Sequence, residues 1–363
     1  MTTVYWDVTS RCNADCLYCS AKQARTDASP AATPPGIARA ALARLRAAGA
    51  GGVILLGGEP TLLADLEGIL ETAAGLGMTV GIATNGLAHS LRLRRALLEH
   101  PGLSVNFSLD SFFEDENDAV RGRGYHARAL GNLRALLAAR GTSGAASPRI
   151  TIQVTLTRVN LGRLEESLLR LAELGVDSIL LERMRAFAWQ PERVRGLAPA
   201  PAEWIDGAAR LARASRRIGA APVVLLNYGN ARLKAALAER YGFSMPAARA
   251  CPGGLQAAVL DAGGELHPCR LARTRRPPLK ACGSPWYEVH PVAIADEAAG
   301  RFLATPYFVD FFNFAHSATV YEGLSLCRAC PHYQDCGPCP LDVVARGEAV
   351  LAECRELIRG GLP

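Results

Sequence analysis

No apolar run in the 363-residue chain approaches the ~18 residues a membrane-crossing helix requires. The N-terminus, MTTVYWDVTSRC, lacks the basic start and apolar stretch of a secretory signal. A cytoplasmic protein with no membrane partner is therefore expected. Charged residues reach only 20% and aromatic ones 6%, against 49% hydrophobic, the balance of a soluble globular chain. The Lys and Arg residues form no single basic stripe. Despite a formal charge of +6 and a pI near 8.8, a nucleic-acid partner is not expected. The length suits one large domain plus a smaller one.

Cysteine is missing from a long stretch and crowded on either side of it. Three of the eleven lie at Cys12, Cys16 and Cys19, none occurs in the next 231 residues, and eight fall between Cys251 and Cys354. In a reducing compartment these would not pair as structural disulfides, so metal ligation or redox chemistry is the better reading. The gap separates two metal-bearing regions.

Within the gap the pattern is regular. VYWDV (4–8), GVILL (52–56), TVGIAT (79–84), LSVNFS (103–108), RITIQVTLT (149–157) and SILLE (178–182) read as strands. Each is nearly all apolar, as parallel strands covered on both faces are. A helix is expected at about 36–48, introduced by Pro34-Pro35 and ended by Gly49, and Leu164, Leu168, Leu171 and Leu174 repeat at helical spacing before Gly175. Alternating units of this kind predict an α/β fold, a partial (β/α)6 parallel barrel over residues 1–230. TSGAASP (142–148) reads as a surface loop. In such folds ligands bind at the C-terminal strand ends, where the first cysteines and Gly57-Gly58-Glu59-Pro60 fall.

After a helix at about 202–218 and the apolar PVVLLNY (222–228), the periodicity fades. VLDAGGELHPC (259–269) reads as a hairpin turning at Ala262–Gly264, with Asp261 and His267 as turn residues. Residues 231–363 are expected to form a small cysteine-rich domain, too poor in core formers to hold its shape without metal staples.

Cys12-Asn-Ala-Asp-Cys16-Leu-Tyr-Cys19 places three thiolates in a loop after a strand. A 4Fe–4S cube has four iron corners, so three cysteines leave one iron open to chelate a small molecule. A structural zinc site would want a fourth nearby Cys or His, and the nearest histidine is His89. The CxxxCxxC spacing, with an aromatic before its last cysteine, resembles the signature of the radical S-adenosylmethionine (radical SAM) superfamily. Gly57, Gly58, Glu59 and Pro60, directly after the second strand, resemble its GGEP motif.

The resemblance implies that the open iron binds S-adenosylmethionine, whose reductive cleavage gives a 5′-deoxyadenosyl radical. It also implies that the backbone at Gly57–Pro60 binds the amino group of that cofactor. Thr84-Asn85-Gly86 ends strand three, and Ser108 with Asp110 ends strand four. Asn85, Ser108 and Arg121 are the further cofactor contacts it suggests, with Thr155 and Thr157 late on strand five.

The second set, Cys327-Arg-Ala-Cys330, then Cys336-Gly-Pro-Cys339 and Cys354, preceded by Cys251 and Cys269, resembles the SPASM extension of radical SAM peptide maturases and anaerobic sulfatase-maturing enzymes. Two residues rather than three separate Cys336 from Cys339, a departure that puts the local loop path in question. Carried over, Cys251, Cys269 and Cys339 would hold one auxiliary cluster, and Cys327, Cys330, Cys336 and Cys354 a second. Cys282 falls where some relatives place an eighth ligand; a free buried cysteine is the other reading. Three clusters would contribute roughly −5, offsetting the formal charge.

The reaction these features imply is abstraction of a substrate hydrogen, with oxidative modification of a ribosomally made peptide as the leading expectation: cross-linking, dehydrogenation or epimerisation. A dehydrogenase or epimerase of a polar small molecule such as an aminosugar is the alternative, followed by sulfatase maturation and by a non-enzymatic zinc-stabilised binding protein. Substrate-side candidates are Glu182, Arg183 and Arg185 after strand six, and Asn227 with Tyr228. A flavodoxin- or ferredoxin-type reductant is implied. Only eleven residues precede Cys12, so a leader-binding domain is expected on a separate protein if at all.

Overall fold

The computed structural model describes residues 2–19, 22, 32–88, 90–143, 148–184, 186, 190–218, 223–226, 230–242, 251, 253, 256–274, 291–317, 319–327, 330–332, 336 and 339–360. The elements run β1 (Thr2–Thr9), α1 (Pro35–Ala47), β2 (Ala50–Gly57), α2 (Leu66–Gly75), β3 (Thr79–Thr84), α3 (Leu91–Glu99), β4 (Leu103–Ser108), α4 (Glu114–Arg121), α5 (Tyr125–Ser143) and β5 (Arg149–Leu156). They continue with α6 (Leu164–Ala172), β6 (Ser178–Arg183), α7 (Pro201–Arg217), β7 (Val223–Leu226), α8 (Ala231–Tyr241), β8 (Ala257–Leu260), β9 (Glu265–His267), β10 (Val292–Ala293), α9 (Pro306–Ala315), α10 (Pro340–Arg346) and α11 (Ala352–Arg359), with shorter helical turns between them. The expected strands and the parallel α/β arrangement are present.

Two compact units emerge, neither a continuous stretch of chain. The first comprises Met1–Ser108, Ala127–Thr151 and Pro252–Phe314; the second Leu109–His126, Ile152–Cys251 and Ala315–Pro363.

In the first unit the strand order is β10-β9-β8-β1-β2-β3-β4. β1 to β4 pair in parallel, with Val4 opposite Val53 and Trp6 opposite Leu55. Val4, Trp6, Val8, Leu55 and Ile82 are fully buried, each stabilising the sheet by about 1.5–3 kcal/mol. α1 starts with Pro35 in its first turn, where a missing N–H costs nothing, and buries Ala38, Ala41, Leu42 and Leu45 along one stripe. The hairpin expected at 259–269 forms between β8 and β9, with Leu260 opposite Leu266. It does not stand apart: β8 pairs in parallel with β1, Thr3 opposite Ala257 and Trp6 opposite Leu260. The buried Asp7 carboxylate ion-pairs with Arg270 and Arg273, fastening the hairpin's far side to β1. The stretch from 297 to 315 also departs from expectation. Phe302, Tyr307, Phe308 and Phe311 are fully buried, with the Phe302 and Phe308 rings 5.0 Å apart, so it carries an aromatic core of its own.

In the second unit β5, β6 and β7 are successive neighbours, and β6 and β7 pair in parallel. α6 buries Leu164, Leu168 and Leu171, and α7 buries Trp204 and Leu211. α8 lies where the apolar periodicity was expected to fade. Asn230 caps it, accepting from the Leu233 amide at 3.1 Å, and Gly242 ends it at φ +61°. Among the described residues no helix is long and apolar enough to cross a membrane.

Candidate functional site

The first cysteine loop leaves the C-terminal end of β1. Two of its sulfurs accept hydrogen bonds: the Ala14 amide reaches Cys12 Sγ at 3.4 Å, the Lys22 amide reaches Cys19 Sγ at 3.4 Å, and Asn85 Nδ2 reaches Cys12 Sγ at 3.7 Å. Burial pushes the Cys12 thiol up, and the charges of Glu59 and Cys19 add to this, while the bonds from Ala14 and Asn85 pull it down. Three thiols crowded beside a carboxylate, with amides aimed at sulfur, form a donor set that a cationic iron centre would stabilise as thiolates. Cys12, Cys16 and Cys19 therefore fit a cluster bound through three cysteines.

The end of β2 is tied to this loop by backbone bonds. Gly58 N–H donates to Thr9 O at 2.6 Å and Glu59 N–H to Arg11 O at 2.7 Å. Gly57 sits at φ +116°, and a Cβ there would lie 2.3 Å from Thr9 O; at Gly58 it would lie 1.9 Å from Arg11 O. The resemblance implies that the backbone of Gly57–Pro60 meets the cofactor's amino group. On the side where a Cβ would stand, the neighbour of both glycines is the backbone that launches the cysteine loop.

Glu59 is 1% exposed. One of its oxygens, Oε1, accepts from the Thr61 amide (3.0 Å), the Thr61 hydroxyl (2.6 Å) and the Thr84 hydroxyl (2.7 Å); Oε2 accepts from the Asn85 amide (2.6 Å). Burial pushes this carboxyl up while the four bonds oppose the shift. Asn85 then reaches both Cys12 Sγ and, at 2.7 Å, Asn13 Oδ1. The cysteine loop, Gly57–Pro60 and the end of β3 are thus brought together through one buried carboxylate, and Pro60 is buried as well. Ser108 closes β4, half-buried, in the same unit.

Arg121 and Asp110 belong to the second unit and are engaged with each other. Arg121 Nε and Nη2 donate to Asp110 Oδ2 and Oδ1 at 2.8 and 2.9 Å, and Nη1 donates to Tyr125 Oη at 3.1 Å. The Asp110 carboxylate also accepts from the Thr155 amide at 2.8 Å, and its carbonyl from Asn160 Nδ2 at 2.7 Å. Thr157 is fully buried, its amide donating to Asn160 Oδ1. This fork holds the start of the 109–126 segment to β5.

Cys327, Cys330, Cys336 and Cys354 are close enough that Cys336, Cys327 and Cys330 all push the Cys354 thiol up, in addition to burial. Cys251 and Cys339 lie in the same unit, Cys339 as the residue preceding α10. Cys269 lies in the first unit, its sulfur accepting from the Ala272 amide at 3.2 Å. Glu182 and Arg183 end β6; Arg183 ion-pairs with Glu353 and lies 4.9 Å from the Trp204 ring centroid. Arg185, Asn227, Tyr228 and Cys282 fall outside the described residues. Asn230, Arg232 and Lys234, on or beside the first turn of α8, escaped the sequence reading. The Asn230 cap and Gly242 stop, bracketing Leu233 and Leu237, were the signal available.

Residues 6–145 match the family model of the Radical SAM superfamily. The mycofactocin maturase MftC of Mycobacterium ulcerans is 30% identical over 161 residues, covering 44% of this chain and 42% of that one. The chain thus spans less than half the length of that curated relative. Among solved structures, anSMEcpe with bound AdoMet superposes with a TM-score of 0.70 at 14% identity, covering 98% of this chain and 94% of that one. SuiB of Streptococcus suis, bound to precursor peptide SuiA, superposes with a TM-score of 0.67 at 14% identity, covering 94% and 72%. Those two likenesses are of fold.

Proposed function

From the match of residues 6–145 to the Radical SAM family model, we propose that the chain is a radical SAM enzyme, a maturase-type oxidoreductase that modifies a peptide. The observation that carries the reading is the junction of Cys12, Gly57–Pro60 and Asn85 around the buried Glu59. When bound at Cys12, Cys16 and Cys19, an iron–sulfur cluster supplies the electron that cleaves S-adenosylmethionine. The chain's own residues fix the site. Glu59 holds the β2 and β3 ends at one separation, the glycines let β2 close on the cysteine loop, and Asn85 orients Cys12. Gly57–Pro60, Asn85 and Ser108 are the groups proposed to contact the cofactor; Arg121 would act through Asp110. Cys327, Cys330, Cys336 and Cys354 are proposed to hold one auxiliary cluster, and Cys251, Cys269 and Cys339 with Cys282 another. A peptide substrate is favoured by the maturase relative and by the precursor peptide seen on SuiB.

Anaerobic reconstitution followed by iron and sulfide counting should give about 12 irons per chain. About two or fewer would sink the reading. Replacing Cys12, Cys16 and Cys19 together by Ala should abolish 5′-deoxyadenosine formation, and cleavage retained in that variant would refute the catalytic assignment. Incubation with a short peptide encoded beside this gene should yield a product lighter by two hydrogens in mass spectrometry.

A further inference from the structure

The first turn of α8 is aimed at the second cysteine set. Asn230 Oδ1 lies 3.9 Å from Cys354 Sγ and accepts from its thiol. The Ala231 amide donates to the Cys336 sulfur. Arg232 Nη2 donates to Cys330 Sγ at 3.5 Å, and the half-buried Lys234 faces Cys336. Arg232 Nε is buried without a hydrogen-bond partner among the described residues. Among the described residues no carboxylate ion-pairs with this guanidinium, so its desolvation is offset chiefly by the cysteine sulfur. Of the described acids in the same unit, Glu353 is engaged with Arg183 and Asn230, and Glu348 with Ser325 and Arg355. Glu348 still acts on Cys327, so the set is not free of negative field.

We propose that this turn, through Arg232 above all, raises the reduction potential of a 4Fe–4S cluster held by Cys327, Cys330, Cys336 and Cys354. The proposal rests on the reading of these four as cluster ligands. The physics is electrostatic. One electron taken up by such a cluster changes its charge, thiolates included, from about −2 to about −3. A fixed cation, a hydrogen bond to sulfur and the positive end of a helix all favour the more negative state. Here the three converge on one thiol set from one turn.

The test is an EPR-monitored redox titration of the full-length reconstituted protein, with dithionite as the electron source. Arg232→Gln should move one component to lower potential, and Arg232→Glu should move it further. Arg240→Gln, an exposed change of equal charge in the last turn of α8, should move none. Unmoved potentials in both Arg232 variants at full iron content overturn the proposal. Should Arg232→Gln lose iron, Lys234→Gln carries the same expectation, and an unmoved potential there overturns it. Cys327→Ala with Cys354→Ala separates the two failures. If that pair removes about four irons while the Arg232 variants shift nothing, only the tuning is wrong. If it removes none, the ligand assignment has failed and the tuning with it.

Discussion

Arg121 is a residue whose charge is spent inside the protein. Its fork grips a carboxylate with no exposed side-chain surface, and taking away one partner strands the other in a place where water cannot replace it. Breaking a buried pair in this way costs about 3–5 kcal/mol. Arg121→Gln should lower stability by that order in anaerobic denaturant unfolding, with cofactor absent. A variant as stable as the parent would mean that Asp110 is held by the Thr155 amide and Asn160 alone. The second cysteine set makes a different prediction. In the iron-free chain, burial and then the neighbouring thiols push Cys327 and Cys354 from an ordinary 9.0 up to about 11. The folded chain therefore keeps those protons to higher pH than the unfolded one. Stability is untouched below about pH 9 and falls as pH rises from 9 toward 11. Unfolding of the iron-free chain across that window should show the decline, and Cys327→Ser with Cys354→Ser should flatten it.

At the scale of elements, the end of β2 is the least forgiving position. A methyl group on Gly58 would meet Arg11 backbone at 1.9 Å, and backbone does not step aside as a side chain can. Gly58→Ala should cost about 1–3 kcal/mol and reduce iron bound at Cys12, Cys16 and Cys19, because the same backbone bonds carry the loop. Gly131→Ala, in an exposed stretch of α5 with open space around it, should instead stabilise by about 0.5–1 kcal/mol. Comparing unfolding midpoints and iron content of the two variants checks both. These elements also mark what the residues alone could reveal. β1 to β6 were legible because short β-rich runs alternate with stretches whose apolar residues recur every three or four. The cysteine loop and Gly57–Pro60 were legible because their spacing is rare. Glu59's partners were not, since Thr84 and Asn85 lie far from it along the chain and nothing local couples them. β8 was found as one arm of a hairpin. Its pairing with β1 was hidden, because four residues, AAVL, carry no information about which edge they join. The core at 297–315 was undervalued because its aromatics lie in short helical pieces.

For the whole molecule, the consequential feature is the parallel pairing of β1, at one end of the chain, with β8, which follows most of the sequence. Pairing so distant is entropically expensive to close and rewarding only once closed. On a ribosome, β1 and β2 can meet early, but the other side of β1 stays an open edge until β8 has emerged. The first cysteine loop therefore hangs from a strand whose second neighbour is made only after about 250 residues of chain. A chain ending at residue 230 keeps that edge bare, a template for pairing between copies. Such a fragment is expected to self-associate in size-exclusion chromatography at concentrations where the full chain does not, and a monodisperse fragment that still binds iron at Cys12, Cys16 and Cys19 would contradict this. Order of synthesis thereby becomes order of maturation: an iron centre loaded on the emerging chain would be loaded onto a half-built sheet, and its lasting retention would be decided only when β8 arrives.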